Sequence, residues 1–343
     1  VKKPVLVLKF GTSTITDRSG QPDEQCISWI AASVARLHTQ YAIIIVSSGA
    51  VGAGKGSIPH YKGELLQRKA AAAVGNPILI QLYSKYFRAY NISIAQSLCE
   101  RRHFGDREAF LQLKQTFEAL WDADIIPIVN ENDVVSSREL KFSDNDELAA
   151  LIASGFGANR LMICTSAGGL LDPQGKVIPK IDQIQDAFQW VKDVPGGQGL
   201  GGMNSKLTYT KLTIGNGIPV IIFGLSHPTS ILQALEGKEG TFFPAIESQL
   251  NSKERWMMSS AIKVGSVIID DGAVEAIKQR KSLLAVGVIE CKGSFQSGEL
   301  IEVCDIEGYP IAVGLIRHHA SWIEAHKGTR GLSILHANDI VLL

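Results

Sequence analysis

Short apolar runs rich in β-branched residues recur through the first 250 or so residues, each followed by a longer segment with helical spacing of its apolar positions. The runs are Val5–Leu8, Ala42–Val46, Ile92–Ala95, Ile125–Val129, Leu161–Cys164 and Pro219–Phe223. Apart from Ile92–Ala95, which Ser93 interrupts, they are free of polar residues, and all six read as buried strands. The segments between them, Asp23–Thr39, Glu64–Tyr90, Asp106–Asp122, Asp144–Phe156 and Asn204–Gly215, read as amphipathic helices. The Gly75-Asn76-Pro77 triplet is expected to divide the second of these into two helices. Strand and helix alternating in this way predict an α/β domain with an open, mostly parallel sheet sandwiched by helices, joined through right-handed crossovers. In such a sheet the ligand lies beyond the carboxyl ends of the strands.

Near residue 260 the pattern changes. Ser266–Ile269, Ala285–Val288, Leu300–Val303, Ile311–Leu315 and Ser333–Leu335 are short strand-like runs punctuated by Asp271-Gly272, Ser297-Gly298 and Glu307-Gly308, with one helix expected at Gly272–Arg280. A length of 343 residues suits two domains. The expected division is an α/β domain over residues 1–258 and a small, mainly β, barrel-like domain over residues 259–343.

Charge narrows the partners. The chain carries 34 Lys+Arg and 34 Asp+Glu, divided as 26 and 24 in residues 1–259 and as 8 and 10 beyond. Neither part is a general polyanion binder. The five cysteines (Cys26, Cys99, Cys164, Cys291, Cys304) form no C-x-x-C pair, so reduced, buried thiols are expected. The first apolar run stops at Lys9, short of a secretory segment, and no stretch reaches the roughly 18 apolar residues of a membrane span, so a soluble cytoplasmic protein is expected. His318, His319, His326 and His336 show no zinc spacing, and the adjacent His318-His319 are expected on opposite faces of a strand. No G-x-S-x-G elbow is present.

Glycine is in excess, at 33 residues, and much of the excess falls in two loops. Lys9-Phe10-Gly11-Thr12-Ser13 follows the first run and suits either a phosphate cradle or a strand-end lysine reaching solvent. Ser47-Ser48-Gly49, after the second run, opens a near match to G-x-x-x-x-G-K-[ST] through Gly49, Gly54 and Lys55. Gly56 replaces the hydroxyl that would hold magnesium, so a Ser-Ser-Gly turn around an anionic group is the better account. A third cluster joins Asn130-Glu131-Asn132-Asp133 to Phe142-Ser143-Asp144-Asn145-Asp146-Glu147. Asp144 and Glu147 fit a capped helix start. That leaves Asn130, Asp133, Asn145 and Asp146 at one sheet edge, a set suited to an ammonium-bearing ligand or to lysines that must be held in place. The fourth cluster, from Gly196 to Lys206, matches G-x-G-x-x-G only formally, since neither a preceding strand nor a ribose-binding acid accompanies it. A glycine loop opening a helix with Lys206 in its first turn makes a second phosphate-type site.

With these residues assembled, the chain resembles the amino-acid kinase family, and within it the branch that phosphorylates glutamate. The resemblance rests on Lys9-Phe10-Gly11-Thr12-Ser13, Ser47-Ser48-Gly49-Ala50, Ala73-Val74-Gly75-Asn76, Asn130-Glu131-Asn132-Asp133, Asp144-Asn145-Asp146 and Gly201-Gly202-Met203-Asn204-Ser205-Lys206. The C-terminal part is similar to the PUA domain that many of these enzymes append. The resemblance implies ATP-dependent phosphorylation of the L-glutamate γ-carboxylate to glutamyl 5-phosphate, the first step of proline biosynthesis, with Mg²⁺ carried by ATP and no direct protein ligands. It implies Lys9 and Lys206 as catalytic cations with Asp146 orienting them, and Ser48, Gly49, Asn130, Asp133 and Asn145 as the glutamate site. The nucleotide would meet Lys9, Thr165, Ser166, Leu200, Gly201, Gly202, Met203, Asn204, Ser205 and Lys206. Asp144 stands between a catalytic role and a helix cap. Two positions depart from the family pattern: Ser166 replaces an acid, and Leu200 replaces a small or hydroxyl residue. Proline as feedback inhibitor and a homodimer or homotetramer are further family expectations.

The residue chemistry agrees. A carboxylate with a pKa of about 4.3 is already ionised, so the nucleophile needs no general base. What the reaction needs is in-line positioning and cations around the migrating group. The alternatives are another carboxylate or phosphate kinase of the same fold, or an RNA-binding protein acting through the PUA-like domain. An acylated glutamate would leave Asp133 without an ammonium partner. The 8 Lys+Arg against 10 Asp+Glu beyond residue 259 tell against RNA.

Overall fold

All six apolar runs of the first 250 residues become strands of one sheet: β1 (Val5–Phe10), β2 (Ala42–Ser47), β3 (Ser93–Cys99), β4 (Ile125–Glu131), β5 (Arg160–Cys164) and β6 (Val220–Phe223). A short seventh, β7 (Thr241–Phe243), was not apparent from the pattern. The computed structural model describes residues 3–17, 19–135, 144–192, 200–247, 254, 257 and 265–342. Strand order is β3-β4-β2-β1-β5-β6-β7, parallel at every pairing except the antiparallel β6–β7 edge. The chain forms two compact units, one of Val1–Glu100 with Gln115–Gln249, the other of Arg101–Lys114 with Leu250–Leu343. The boundary expected at residues 258 and 259 lies outside the described residues.

The helices are α1 (Thr12–Ile15), α2 (Glu24–Leu37), α3 (Ala50–Gly54), α4 (Leu65–Arg88), α5 (Arg102–Gly105), α6 (Arg107–Asp122), α7 (Asn145–Phe156), α8 (Ile184–Lys192), α9 (Leu200–Gly215) and α10 (Ser230–Leu235). Helix α2 starts where the Asp23 carboxylate accepts from the amides of Gln25 and Cys26. Its apolar stripe of Ile27, Ile30, Ala31, Val34 and Leu37 is buried in one cluster with Leu6, Leu8, Phe10, Ile43 and Ile45 of the sheet and with Tyr83 and Phe87 of α4. Each buried Ile, Val or Leu side chain of the stripe contributes about 1.5–3 kcal/mol. Helix α7 is buried from Asp146 through Phe156 and ends at Gly157, whose φ of 65° and amide bonds to Ala153 and Ser154 close it.

One expectation fails at α4, which runs unbroken through Gly75-Asn76-Pro77. A Cβ on Gly75 would lie 1.7 Å from the Ala50 carbonyl oxygen, and one on Gly54 would lie 1.9 Å from the Ala71 carbonyl oxygen. Backbone-to-backbone packing against α3 therefore grips the helix on the turn before the proline. It offsets the roughly 3 kcal/mol that an interior proline costs.

The second unit holds β8 (Gly265–Ile269), β9 (Leu283–Leu284), β10 (Val288–Gly293), β11 (Leu300–Cys304), β12 (Pro310–Leu315), β13 (Ser333–Leu335) and β14 (Ile340–Leu342), with α11 (Asp271–Lys278) and α12 (Ala320–His326). Five strands form a sheet in the order β10-β8-β11-β12-β14, antiparallel apart from β8–β11, and β9 pairs with β13. Two expectations are corrected here. Ala285–Gly287 is a 3₁₀ turn rather than a strand, with a Cβ on Gly287 only 2.5 Å from the Ala273 methyl on α11. The histidines are not in a strand either: His319 caps α12 by accepting from the Trp322 amide, while His318 and His326 stack on Trp322 at 3.8 and 4.0 Å.

All five thiols are free; Cys99, Cys164 and Cys304 are buried, and Cys26 and Cys291 are half-buried. Burial pushes the Cys99 and Cys164 thiols up to about 12. Among the described residues no helix is long and apolar enough to cross a membrane.

Candidate active site

The chemistry-bearing residues gather where the parallel strands end. Lys9 is the penultimate residue of β1, Asn130 and Glu131 close β4, Ser48 follows β2, and Thr165 follows β5. Strand alternation alone would leave Lys9 buried, and it is only 4% exposed. Its ammonium lies back over Gly11, where a Cβ would come within 3.2 Å of Nζ, so the glycine after the strand makes room for the cation.

Asp146 sits between two lysines. Its Oδ1 is 2.5 Å from Lys9 Nζ and its Oδ2 is 2.8 Å from Lys206 Nζ. The carboxylate is 1% exposed, and Lys9 meets it as an ion pair by distance without the angles of a directed hydrogen bond. Two ammoniums share one carboxylate, so the trio keeps a positive charge over, facing the strand ends. Helix α7 delivers Asp146 because Asp144 caps it: the Asp144 Oδ1 accepts from the amides of Asp146 and Glu147 at 2.9 and 3.2 Å. The other Asp144 oxygen accepts from Ser205 Oγ at 2.5 Å. Asp144 thus ties the start of α7 to α9 at the residue immediately before Lys206. Behind it, the buried Glu147 carboxylate accepts from the Tyr209 hydroxyl at 3.1 Å.

Helix α9 corrects the expected glycine loop. Leu200, Gly201 and Gly202 already belong to the helix, so Lys206 stands in its second turn rather than its first. The loop residues Gly196 to Gly199 lie outside the described residues, as do the Leu200 and Gly201 side chains. Gly202, Met203 and Asn204 lie on the same opening turns as Ser205.

Amides make the neighbouring cluster. Asn145 Nδ2 donates to Ser48 Oγ and to Asn130 Oδ1, both at 2.9 Å. Asn130 in turn donates to Asn76 Oδ1 at 3.2 Å, which draws α4 into the network. Ser48, Gly49, Asn130, Asp133 and Asn145 all line one cavity of about 570 Å³. Gly49 has a φ of 100°, open to glycine, and turns the chain from β2 into α3. Lys55, the lysine of the near P-loop match, turns away: its ammonium crowds Gly20, where a Cβ would come within 2.4 Å.

The cavity also takes in Thr12 and Glu131, which the motifs contain without a site role, and Tyr61 and Arg68, which lie outside every motif. Asn76 was visible only as part of a motif; a polar residue in an alanine-rich helical run was the available signal. Thr165 and Ser166 stand apart from this cavity, at the end of β5. The Thr165 amide donates to the Phe223 carbonyl at 2.8 Å, and Thr165 is buried while Ser166 is exposed. Beside them Gly168, Gly224 and Gly240 line a second cavity of about 320 Å³.

Residues 4–224 match the Amino acid kinase family, and residues 265–337 match the PUA domain. The chain is 35% identical to the glutamate 5-kinase of Haemophilus influenzae (strain 86-028NP) over 371 residues, covering 100% of both chains. It is 36% identical to the glutamate 5-kinase of Enterobacter sp. (strain 638), over 98% of each chain. Similarity to the glutamate 5-kinase of Serratia marcescens reaches 37% over 92% of this chain and 89% of that one. Among solved structures, carbamate kinase from Giardia lamblia superposes with a TM-score of 0.51 at 18% identity, over 71% of this chain and 99% of that chain. An isopentenyl phosphate kinase superposes with a TM-score of 0.50 at 20% identity, over 70% and 99%. These two share the fold alone. Taken with the strand order and the lysine–carboxylate–lysine trio, the matched span and the full-length relatives show that the chain belongs to the amino acid kinase family.

Proposed function

We propose that the chain transfers the γ-phosphoryl group of ATP to the γ-carboxylate of L-glutamate, giving an acyl phosphate. The observation that carries this reading is Asp146 bridging Lys9 and Lys206 at 2.5 and 2.8 Å. Phosphoryl transfer spreads negative charge over the migrating group, and fixed cations at that point lower the barrier. Lys9, from the sheet, and Lys206, from α9, supply them, while Asp146 keeps the two ammoniums from repelling one another out of place. Glutamate occupies the larger cavity, with Asp133 toward its ammonium and Ser48, Gly49, Asn130 and Asn145 toward its carboxylates. The carboxylate is ionised at neutral pH, so no base is required.

The nucleotide takes the side of β5 and β6, reaching from the second cavity near Thr165 and Ser166 to the opening turns of α9, including Gly202, Met203, Asn204 and Ser205. Magnesium would ride on the ATP phosphates, with at most one or two carboxylates from the chain, and would neutralise charge there. Among the described residues, no group of three or more His, Cys, Asp or Glu is placed to hold a metal by itself. Inhibition by proline and assembly into dimers or tetramers belong to the same proposal on family grounds.

The test is ATP consumption with L-glutamate, N-acetylglutamate, aspartate and UMP, with hydroxylamine present to trap the acyl phosphate. Hydroxamate should form with glutamate and not with its acetylated form. Turnover of UMP without turnover of glutamate would overturn the reading.

A further inference from the structure

The larger cavity holds a cation that the lysine trio does not account for. Arg68 lies in the first turn of α4 and lines the same cavity as Ser48, Asn130, Asp133 and Asn145. It is the one Lys or Arg among the cavity's described lining residues, facing a lining that includes Glu131, Asp133 and Asp144. Arg68 is exposed, and no described residue takes a hydrogen bond or ion pair from its guanidinium. Lys9 and Lys206, in contrast, are committed to Asp146.

Resting on the proposed glutamate kinase activity, we infer that Arg68 binds the α-carboxylate of the substrate and sets the preference for it. Glutamate presents two carboxylates and one ammonium. The γ-carboxylate must face the lysine trio for attack, and the ammonium pairs with Asp133. The α-carboxylate is then the one charged group of glutamate without an oppositely charged partner, and Arg68 is the one cation among the cavity's described lining residues. A guanidinium also suits the task, since its planar fork can take both oxygens of a carboxylate at once. Helix α3, which begins at Ala50 beside the same cavity, has only five residues and is too short to carry the anion by its dipole. Arg68 touches the end of the substrate remote from the reacting atoms, so it is a binding and specificity residue.

The experiment compares L-glutamate with its α-amide, isoglutamine, which keeps the γ-carboxylate and the ammonium but loses the second negative charge. Wild type and the Arg68→Gln and Arg68→Lys variants are assayed on both compounds by hydroxamate formation. The wild type should favour glutamate in kcat/KM by about 100-fold. In Arg68→Gln the KM for glutamate should rise about tenfold or more, the KM for ATP should stay within about threefold, and the preference over the α-amide should shrink to below about tenfold. Arg68→Lys should fall between the two, keeping the charge and losing the fork. An Arg68→Gln variant that still favours glutamate as strongly as the wild type overturns this inference while leaving the glutamate reading in place. A wild type that phosphorylates neither compound overturns the glutamate reading and the inference with it.

Discussion

At the scale of single residues, the site is governed by one carboxylate shared between two ammoniums. Asp146 is 1% exposed and Lys9 is 4% exposed, so this charge balance is set in a low-dielectric interior. Replacing Asp146 by Asn leaves two neighbouring cations with a neutral amide. That change should lower kcat by about 100-fold and reduce stability by about 3 kcal/mol, read by urea unfolding. Lys206→Ala should lower kcat to a similar extent with little loss of stability, because Lys206 is more exposed, at 13%, and Asp146 keeps Lys9. If both variants keep wild-type kcat, the trio is structural and the proposed mechanism fails. The two lysines and Asp146 were legible in the sequence because each sits in a short motif after a strand or at a helix start. The double duty of Asp144 was not: whether a cap residue's second oxygen meets Ser205, 61 positions away, is settled only by packing.

At the scale of elements, the α3–α4 contact matters because both helices contribute residues to the cavity lining, Ala50, Val51 and Gly52 from α3 and Arg68 from α4. Gly54 and Gly75 let the two backbones touch, and α3 follows directly on Ser48 and Gly49. Gly75→Ala would place a methyl within 1.7 Å of the Ala50 carbonyl oxygen, so the helices must separate. The expected cost is about 1–3 kcal/mol, seen as a lower urea midpoint, together with a raised KM for glutamate as Ser48 and Gly49 move with α3. Gly56→Ala is the control: its Cβ would meet nothing closer than the Gln21 amide nitrogen at 4.0 Å, and stability should change by less than about 0.5 kcal/mol. A Gly75→Ala variant as stable as Gly56→Ala would show that α3 and α4 have room to spare. The inner strands were readable from hydrophobic runs because a strand buried on both faces has no alternating polar residue to confuse it, whereas β3, at the sheet edge, buries only Cys99 of its seven residues. The break expected at Gly75-Asn76-Pro77 does not form, because turn chemistry is a local signal and here a contact with α3 overrides it.

At the scale of the whole molecule, Arg101–Lys114 falls in the same compact unit as the residues beyond 250. That segment carries Phe104 and Phe110, each 1% exposed and 6.2 Å apart between ring centroids. A chain ended at residue 258 should therefore leave apolar surface on this segment uncovered, lowering the Tm by roughly 5 °C or more. An unchanged Tm would mean that the segment is stable without the C-terminal residues. The sequence by itself determined the parallel α/β sheet, the change to a mainly β region near residue 260, and the lysines and carboxylates that follow the strands. Those properties reside in periodicity and in the few residues after each strand, and both are local. The tertiary structure alone decided that α4 continues through Pro77, that Asn76 joins Asn130 and Asn145, that Arg68 lines the larger cavity, and that residues 101–114 leave the unit of their neighbours in sequence. Each of these depends on side chains and backbones from distant stretches meeting in space, and no pattern within one stretch encodes what it will meet.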